Sequence, residues 1–219
     1  TSSDYNSFVG YQSGYNMKTG TTNVALGGLA LYNATSTSNQ VAIGYQALKG
    51  NTSDSSGTNN NAVGYNALTS NSSGVDNNAF GTSALSSNTS GSYNSAIGFQ
   101  ALVSNSTGAG NNAVGYQAMV ANTTGGSNSA FGHGALISNT TGSSNNAFGA
   151  QPLVLNTTGS NNNAFGSNAL HGNTTGTYNV ALGESAESSN TTGNHNIAIG
   201  NLTLNSNLTG SNNSAIGTL

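Results

Sequence analysis

A tripeptide of a small residue, a large apolar residue and Gly returns along the whole chain at a fixed spacing, and nothing else in the sequence restricts the fold as strongly. Its Gly falls at Gly10, Gly27, Gly44, Gly64, Gly81, Gly98, Gly115, Gly132, Gly149, Gly166, Gly183, Gly200 and Gly217, every interval being 17 except one of 20. Alignment places the three extra residues near Asp54, Ser55 and Ser56, in a polar turn where added length costs little. Residues 1–219 thus read as a single repeat array with no separate domain. Polar low-complexity composition alone would suggest disorder, but a disordered chain has no reason to keep register.

The unit reads N-x-A-(F/V/I/L)-G-x-x-A-L-x-x-N-T-T-G-x-x, numbered here from its first Asn. Position 1 carries a side-chain amide in every copy: Asn6, Asn23, Gln40, then Asn60, Asn77, Asn94, Asn111, Asn128, Asn145, Asn162, Asn179, Asn196 and Asn213. Position 3 is Ala in every copy except the first, which has Phe8. Position 4 is always large and apolar: Val9, Leu26, Ile43, Val63, Phe80, Ile97, Val114, Phe131, Phe148, Phe165, Leu182, Ile199 and Ile216. Position 9 is Leu or Met except at Gly14 and Glu187, and position 12 is Asn from Asn51 to Asn207.

Seventeen residues are too few for two helices and a turn, and the β-branched, Gly and Asn content with N-T-T-G punctuation opposes helix. One coil of a parallel β-solenoid fits, an all-β class in which each strand pairs in register with its equivalent one coil away. At about 4.8 Å per coil, roughly thirteen coils would make a rod of about 60 Å. In-register stacking gives each fixed residue a role. The position 1 amides form a ladder, each side chain donating to one neighbour and accepting from the other. Gly at positions 5 and 15 suits corners with positive φ or close backbone approach. N-T-T-G reads as a turn in which Asn bonds its own backbone two residues on.

Positions 3 and 4 face opposite sides of a strand, yet both are apolar, so the strand needs cover on both faces. Val63, Phe80, Ile97, Val114, Phe131, Phe148, Phe165, Leu182, Ile199 and Ile216 are expected as the core, with the position 9 residues. Two large apolar residues per coil make a thin core for one chain, which favours several chains side by side about a common axis, three in the preferred arrangement.

Runs such as NNAVGYQAM (Asn111 to Met119), NNAFGTSAL (Asn77 to Leu85) and NSAIGFQAL (Asn94 to Leu102) resemble the head repeats of trimeric autotransporter adhesins. They are equally similar to the repeat shafts of viral and bacterial tail-fibre proteins that carry N-T-T-G between A-x-G-x-x-A-L segments. The resemblance covers essentially the whole chain and implies a homotrimeric left-handed parallel β-roll or β-helix fibre, extracellular, on a cell surface or a virion. The autotransporter head unit is shorter, and the N-T-T-G turn is the departure from it. The array starts at Thr1 in position 13 and stops at Leu219 in position 7, without a charged or atypical capping repeat at either end. A segment of a longer fibre, or a protomer stacking head to tail, is expected.

Composition then excludes functions. Only 3% of residues are charged, against roughly 25% in ordinary domains. Lys18 and Lys49 are the only basic side chains, too few to neutralise a phosphate backbone, so neither nucleic acid nor an anionic membrane surface is an expected partner. No apolar run approaches membrane-spanning length, and no membrane insertion is expected. With no Cys there is no disulfide or thiolate nucleophile. His133, His171 and His195 occupy three different repeat positions without metal-ligand spacing, and the acids are scattered, so no metal, cofactor or catalytic site is expected and the chain reads as no enzyme. Glu187, in the usual Leu position, reads as a fault in the repeat or a surface contact, and Pro152 as a place where one ladder hydrogen bond is dispensable. Tyrosines at positions 6 and 17 could meet sugar or protein, a host-surface glycan among them, or pack between chains. Asn122, Asn139, Asn156, Asn173 and Asn190 stand in Asn-x-Thr and are glycan acceptors if the source glycosylates proteins, but the same Asn also serves the turn.

Two functions remain in view. A stiff fibre that attaches or assembles at a surface ranks first. An ice-binding solenoid is the alternative, disfavoured because Thr adjacent to Thr and beside Gly lies at a turn and not on a flat strand. In-register stacking also accounts for the low charge, since a charge in the repeat would face a like charge in the next coil.

Overall fold

Positions 2 to 4 of each repeat form a strand, and everything else in the coil is turn. A computed structural model describes residues 5–50 and 57–218; the inserted residues at 54–56, with Asp4 and Asn51, lie outside the described residues. The chain divides into two compact units, Thr1–Gly110 and Asn111–Leu219, and both are β-solenoids built from the same coil.

The first unit holds β1 (Ser7–Val9), β2 (Val24–Leu26), β3 (Val41–Ile43), β4 (Asn61–Val63), β5 (Asn78–Phe80) and β6 (Ser95–Ile97). Each pairs in parallel with the next, residue over equivalent residue, as in Asn78 over Asn61 and Phe80 over Val63. The second unit repeats the pattern with β7 (Asn112–Val114), β8 (Ser129–Phe131), β9 (Asn146–Phe148), β10 (Asn163–Phe165), β11 (Val180–Leu182), β12 (Ile197–Ile199) and β13 (Ser214–Ile216). The parallel all-β solenoid expected from the period is the observed fold.

The turns pair between coils as regularly as the strands do. In the coil of Asn77, Asn78 N–H donates to Asn94 O (2.8 Å), Gly81 N–H to Val63 O (2.8 Å), Ser83 N–H to Tyr65 O (2.8 Å) and Leu85 N–H to Ala101 O (3.0 Å). The N–H groups of one coil are therefore shared between the coil before and the coil after. Aiming N–H groups at both neighbours takes a backbone that changes handedness within the coil, and positions 7, 9 and 17 are left-handed, as at Ser83 (φ 57), Leu85 (φ 52) and Tyr93 (φ 61). A left-handed Leu costs about 1–2 kcal/mol. Full burial of the side chain, worth about 1.5–3 kcal/mol, offsets it, and Leu85 is wholly buried.

Glycine at position 5 meets both demands expected of a corner. At Gly81 φ is +136, and a Cβ there would lie 2.4 Å from Gly98 O in the next coil. Position 15 needs only the space: Gly159 has no positive φ, but its Cβ would fall 2.4 Å from Gly176 O.

The interior differs from expectation in one major respect. It is formed by positions 1, 3, 8, 9, 12 and 15, that is by Asn, two Ala, Leu, Asn and Gly, and Ala79, Ala84, Leu85, Asn77 and Asn88 are all wholly buried. The expected core residues at position 4 point outward. Phe80, Ile97, Phe131, Phe165, Leu182 and Ile216 are exposed, Ile97 to 46% and Phe131 to 38%, and Val63, Val114, Phe148 and Ile199 are half-buried. The reason is alternation: positions 1 and 3 share one face of the strand and position 4 has the other. A buried amide ladder at position 1 and a position 4 core are mutually exclusive on a three-residue strand.

Two departures from the repeat compensate each other. In the first coil Phe8 replaces Ala at position 3 and Gly14 replaces Leu at position 9. A Cβ at Gly14 would fall 2.6 Å from the Phe8 ring, so that ring occupies the space a Leu fills elsewhere. Pro152, at position 8, removes only a long contact within its own coil, since the Ala at this position donates to the Gly at position 5 over 3.3 to 3.5 Å in the other coils. No inter-coil bond is lost at Pro152.

Candidate functional site

The polar interior is two amide ladders sharing one row of carbonyls. In the coil of Asn77, Nδ2 donates to Asn60 Oδ1 of the preceding coil (3.1 Å) and to Gly91 O (2.9 Å), while the Asn77 backbone N–H also donates to Asn60 Oδ1 (2.9 Å). From the other side Asn88, at position 12, donates to Asn71 Oδ1 (2.9 Å) and to the same Gly91 O (2.9 Å). Every atom of both amides is thus engaged, as burial requires. Asn94, Asn111, Asn128, Asn145, Asn162, Asn179 and Asn196 make the equivalent bonds to the position 15 Gly carbonyl, and Asn213, half-buried, donates to Asn196 Oδ1 (3.1 Å). Gln40 takes the same place: its N–H donates to Asn23 Oδ1 (3.0 Å), its Oε1 accepts from Asn60 N–H (3.2 Å), and its Nε2 reaches Gly57 O. The position 12 amide therefore bonds a carbonyl three residues on, where a two-residue turn was expected.

That role removes the glycan reading. Asn122, Asn139, Asn156, Asn173 and Asn190 are wholly buried. Asn156 Nδ2, for example, donates to Asn139 Oδ1 (2.8 Å) and Gly159 O (2.9 Å), and a glycosylated nitrogen keeps one N–H for these two bonds and has no space for the sugar.

The outer strand face carries two rows. Position 2 supplies amides that pair between coils, as Asn61 Nδ2 with Asn78 Oδ1 and Asn146 Nδ2 with Asn163 Oδ1, both at 2.8 Å. Beside them runs the position 4 apolar row. Phe131, Phe148 and Phe165 stack at 4.8 and 4.9 Å between centroids with interplanar angles of 7°. Their ring faces are occupied by one another, so edges and side walls are what the row presents. Tyr45 stacks on Tyr65 (5.8 Å), Tyr116 on His133 (5.4 Å) and Tyr178 on His195 (5.0 Å), all exposed. Among the described residues no three His, Asp or Glu side chains converge, and no helix is long and apolar enough to cross a membrane.

Thr side chains divide by position. At position 13, Thr140 Oγ1 donates to Thr157 O (3.0 Å) and Thr157 Oγ1 to Thr174 O (3.1 Å), so these hydroxyls are bound into the coils. At position 14, Thr124, Thr141, Thr158, Thr175 and Thr192 are exposed, one per coil.

Of the two readings of Glu187, a fault in the repeat or a surface contact, the surface contact fails. The side chain is wholly buried in the position 9 row. Burial lifts its carboxyl from the ordinary 4.5 to about 7, against amide hydrogen bonds from Asn196 and Asn207 that favour the ionised form. Oε2 has no partner, and Oε1 accepts from Asn207 Nδ2 at 3.4 Å. The repeat did mark the position, through a carboxyl where every other complete coil but the first has Leu or Met; the burial of position 9 was the missing piece.

No protein family, curated protein or solved structure matches the chain. The geometry defines a β-solenoid with a sealed amide interior and regular outer rows.

Proposed function

We propose that the chain is a rigid structural element of an extracellular fibre, adhesin- or tail-fibre-like, at a cell surface or on a virion, whose position 4 row packs against further copies of the chain in a homotrimer. The observation that carries this reading is the row itself: an apolar side chain outward on every strand, in register, on a face without charge. Contiguous apolar surface of this kind marks an interaction site, and a second copy offers a surface of matching period at every coil. The Phe131, Phe148 and Phe165 stack is the strongest part of the contact, because its exposed edges fit between the side chains of a neighbouring row. Attachment to a host glycan or protein falls to the aromatic rows or to whatever the fibre carries.

Light scattering on the intact chain is expected to give three times the chain mass. Replacing Phe131, Phe148 and Phe165 together by Ser is expected to give single chains with unchanged circular dichroism, since these side chains contribute little to the interior of their own coil. A wild-type chain that stays single at high concentration sinks the homotrimer.

The position 14 Thr row supports a second reading, binding to ice, because exposed hydroxyls recur once per coil. One row is a narrow face, as the adjacent position 13 hydroxyls are already bonded. Thermal hysteresis that disappears when Thr141, Thr158 and Thr175 become Val or Lys would move ice binding ahead of the fibre.

A further inference from the structure

Within the second unit the position 12 ladder runs from Asn122 through Asn139 and Asn156 to Asn173 by bonds of 2.8–2.9 Å and then weakens and stops. Asn190 reaches Asn173 Oδ1 only at 3.3 Å, and Asn207 turns away from Asn190 altogether, donating to Glu187 Oε1 instead. The released carbonyls fold back on their own turns, Asn190 Oδ1 accepting from Gly193 N–H and Asn207 Oδ1 from Gly210 N–H, each at 3.0 Å. Glu187 is therefore inserted into the ladder between two coils. It touches the coil of Asn196 through both Asn207 and Asn196 and through its backbone N–H to Thr203 O (2.8 Å). It also sits among apolar equivalents, with Leu170 and Leu204 at position 9 of the flanking coils.

We propose that Glu187 is a proton-controlled latch: with its carboxyl neutral the coils of β12 and β13 stay seated on the coil of β11, and ionisation lets residues 196–218 open while the preceding coils remain closed. The cause is local. A buried carboxylate with the amides of Asn196 and Asn207 beside it, the Asn207 bond long at 3.4 Å, and one unpartnered oxygen is a poor ion, and opening of the next coil gives it water.

No fixed charge competes for control. The coil before carries His171, half-buried, and Tyr178, exposed; the same coil carries Glu184 and His195, outward; residues 196–212 contain no Asp, Glu, Lys, Arg or His. No cation on these coils faces the carboxylate, and His195 is already stacked on Tyr178.

The sign follows from the raised folded value. The carboxyl stabilises the closed coil fully below about pH 4.5, and that contribution is lost as pH rises through about 7. Hydrogen exchange on the full chain, corrected for intrinsic rates, tests it. Opening of residues 196–218 is expected to increase on the order of 100-fold between pH 4.5 and 8.5, with coils 128–178 unchanged. Glu187→Gln keeps an amide in the ladder and Glu187→Leu restores the repeat, so both variants are expected to hold these residues closed across the range. An equal pH response in both variants, a flat wild-type response, or equal opening in every coil overturns the latch.

Discussion

A single methyl group added at Gly159 is expected to destabilise the second unit by more than about 4 kcal/mol, a loss that few point substitutions reach. The Cβ of Gly159→Ala would lie 2.4 Å from Asn156 Oδ1, 2.4 Å from Gly176 O and 3.0 Å from Asn173 Nδ2. None of these is the loose end of a flexible side chain. Gly176 O accepts from Asn173 Nδ2 (3.1 Å) and Asn162 Nδ2 (2.8 Å), and Asn156 Oδ1 accepts from Asn173 Nδ2 (2.8 Å). Relief of the clash must separate two coils and open both ladders at once. Gly126→Ala is the control: position 16 is Ser143 and Ser160 in the following coils, so a side chain is tolerated there. Urea unfolding followed by circular dichroism measures both. A Gly159→Ala midpoint within about 1 kcal/mol of Gly126→Ala would show that coil spacing is softer than the backbone contacts imply.

The glycine and asparagine positions were legible because their variation along one chain is nearly nil, and stacking gives a physical reason for that. The face of the strand was also legible, in a signal that was read the wrong way. Position 3 accepts only Ala from Ala25 onward, whereas position 4 accepts Val, Leu, Ile and Phe. A closed interior slot has one size, so invariance marks the inside; a row facing outward tolerates Phe131 beside Val114. Large side chains were equated with the core, although the interior of a 17-residue coil already filled by Asn, Leu and Asn has space for Ala. Phe8 confirms the rule by exception, since it enters only where Gly14 vacates the room. Left-handed Leu at position 9 had no signature in composition, because isolated preference opposes it and only burial of the side chain with the bond of its N–H to the next coil supports it.

Replacing Asn145 by Asp is the isosteric test of whether the ladder is held by hydrogen bonds or by shape alone. Asn145 is wholly buried. Its Nδ2 donates to Asn128 Oδ1 (3.2 Å) and Gly159 O (2.8 Å), and its Oδ1 accepts from Asn162 N–H (3.0 Å). Asp keeps the acceptor but puts a second oxygen against two carbonyl oxygens. A buried ionised carboxylate there meets acceptors in place of donors, so the folded state binds a proton more tightly than the unfolded chain, in which Asp titrates near 3.9. The neutral acid can donate to one of the two oxygens, the carboxylate to neither. Stability of Asn145→Asp is therefore expected to stand within about 1–2 kcal/mol of wild type well below pH 4 and to fall by about 3–5 kcal/mol as pH rises to 8. Asn146→Asp changes the neighbouring residue on the outer face, where water reaches the carboxylate, and is expected to cost under about 1 kcal/mol at either pH. Urea midpoints at pH 3.5 and 8 separate the cases. If the two variants lose the same stability at pH 8, shape holds the interior; if only Asn145→Asp collapses, and recovers in acid, the amide ladder explains why a chain of stacked identical coils keeps charge out of its repeat.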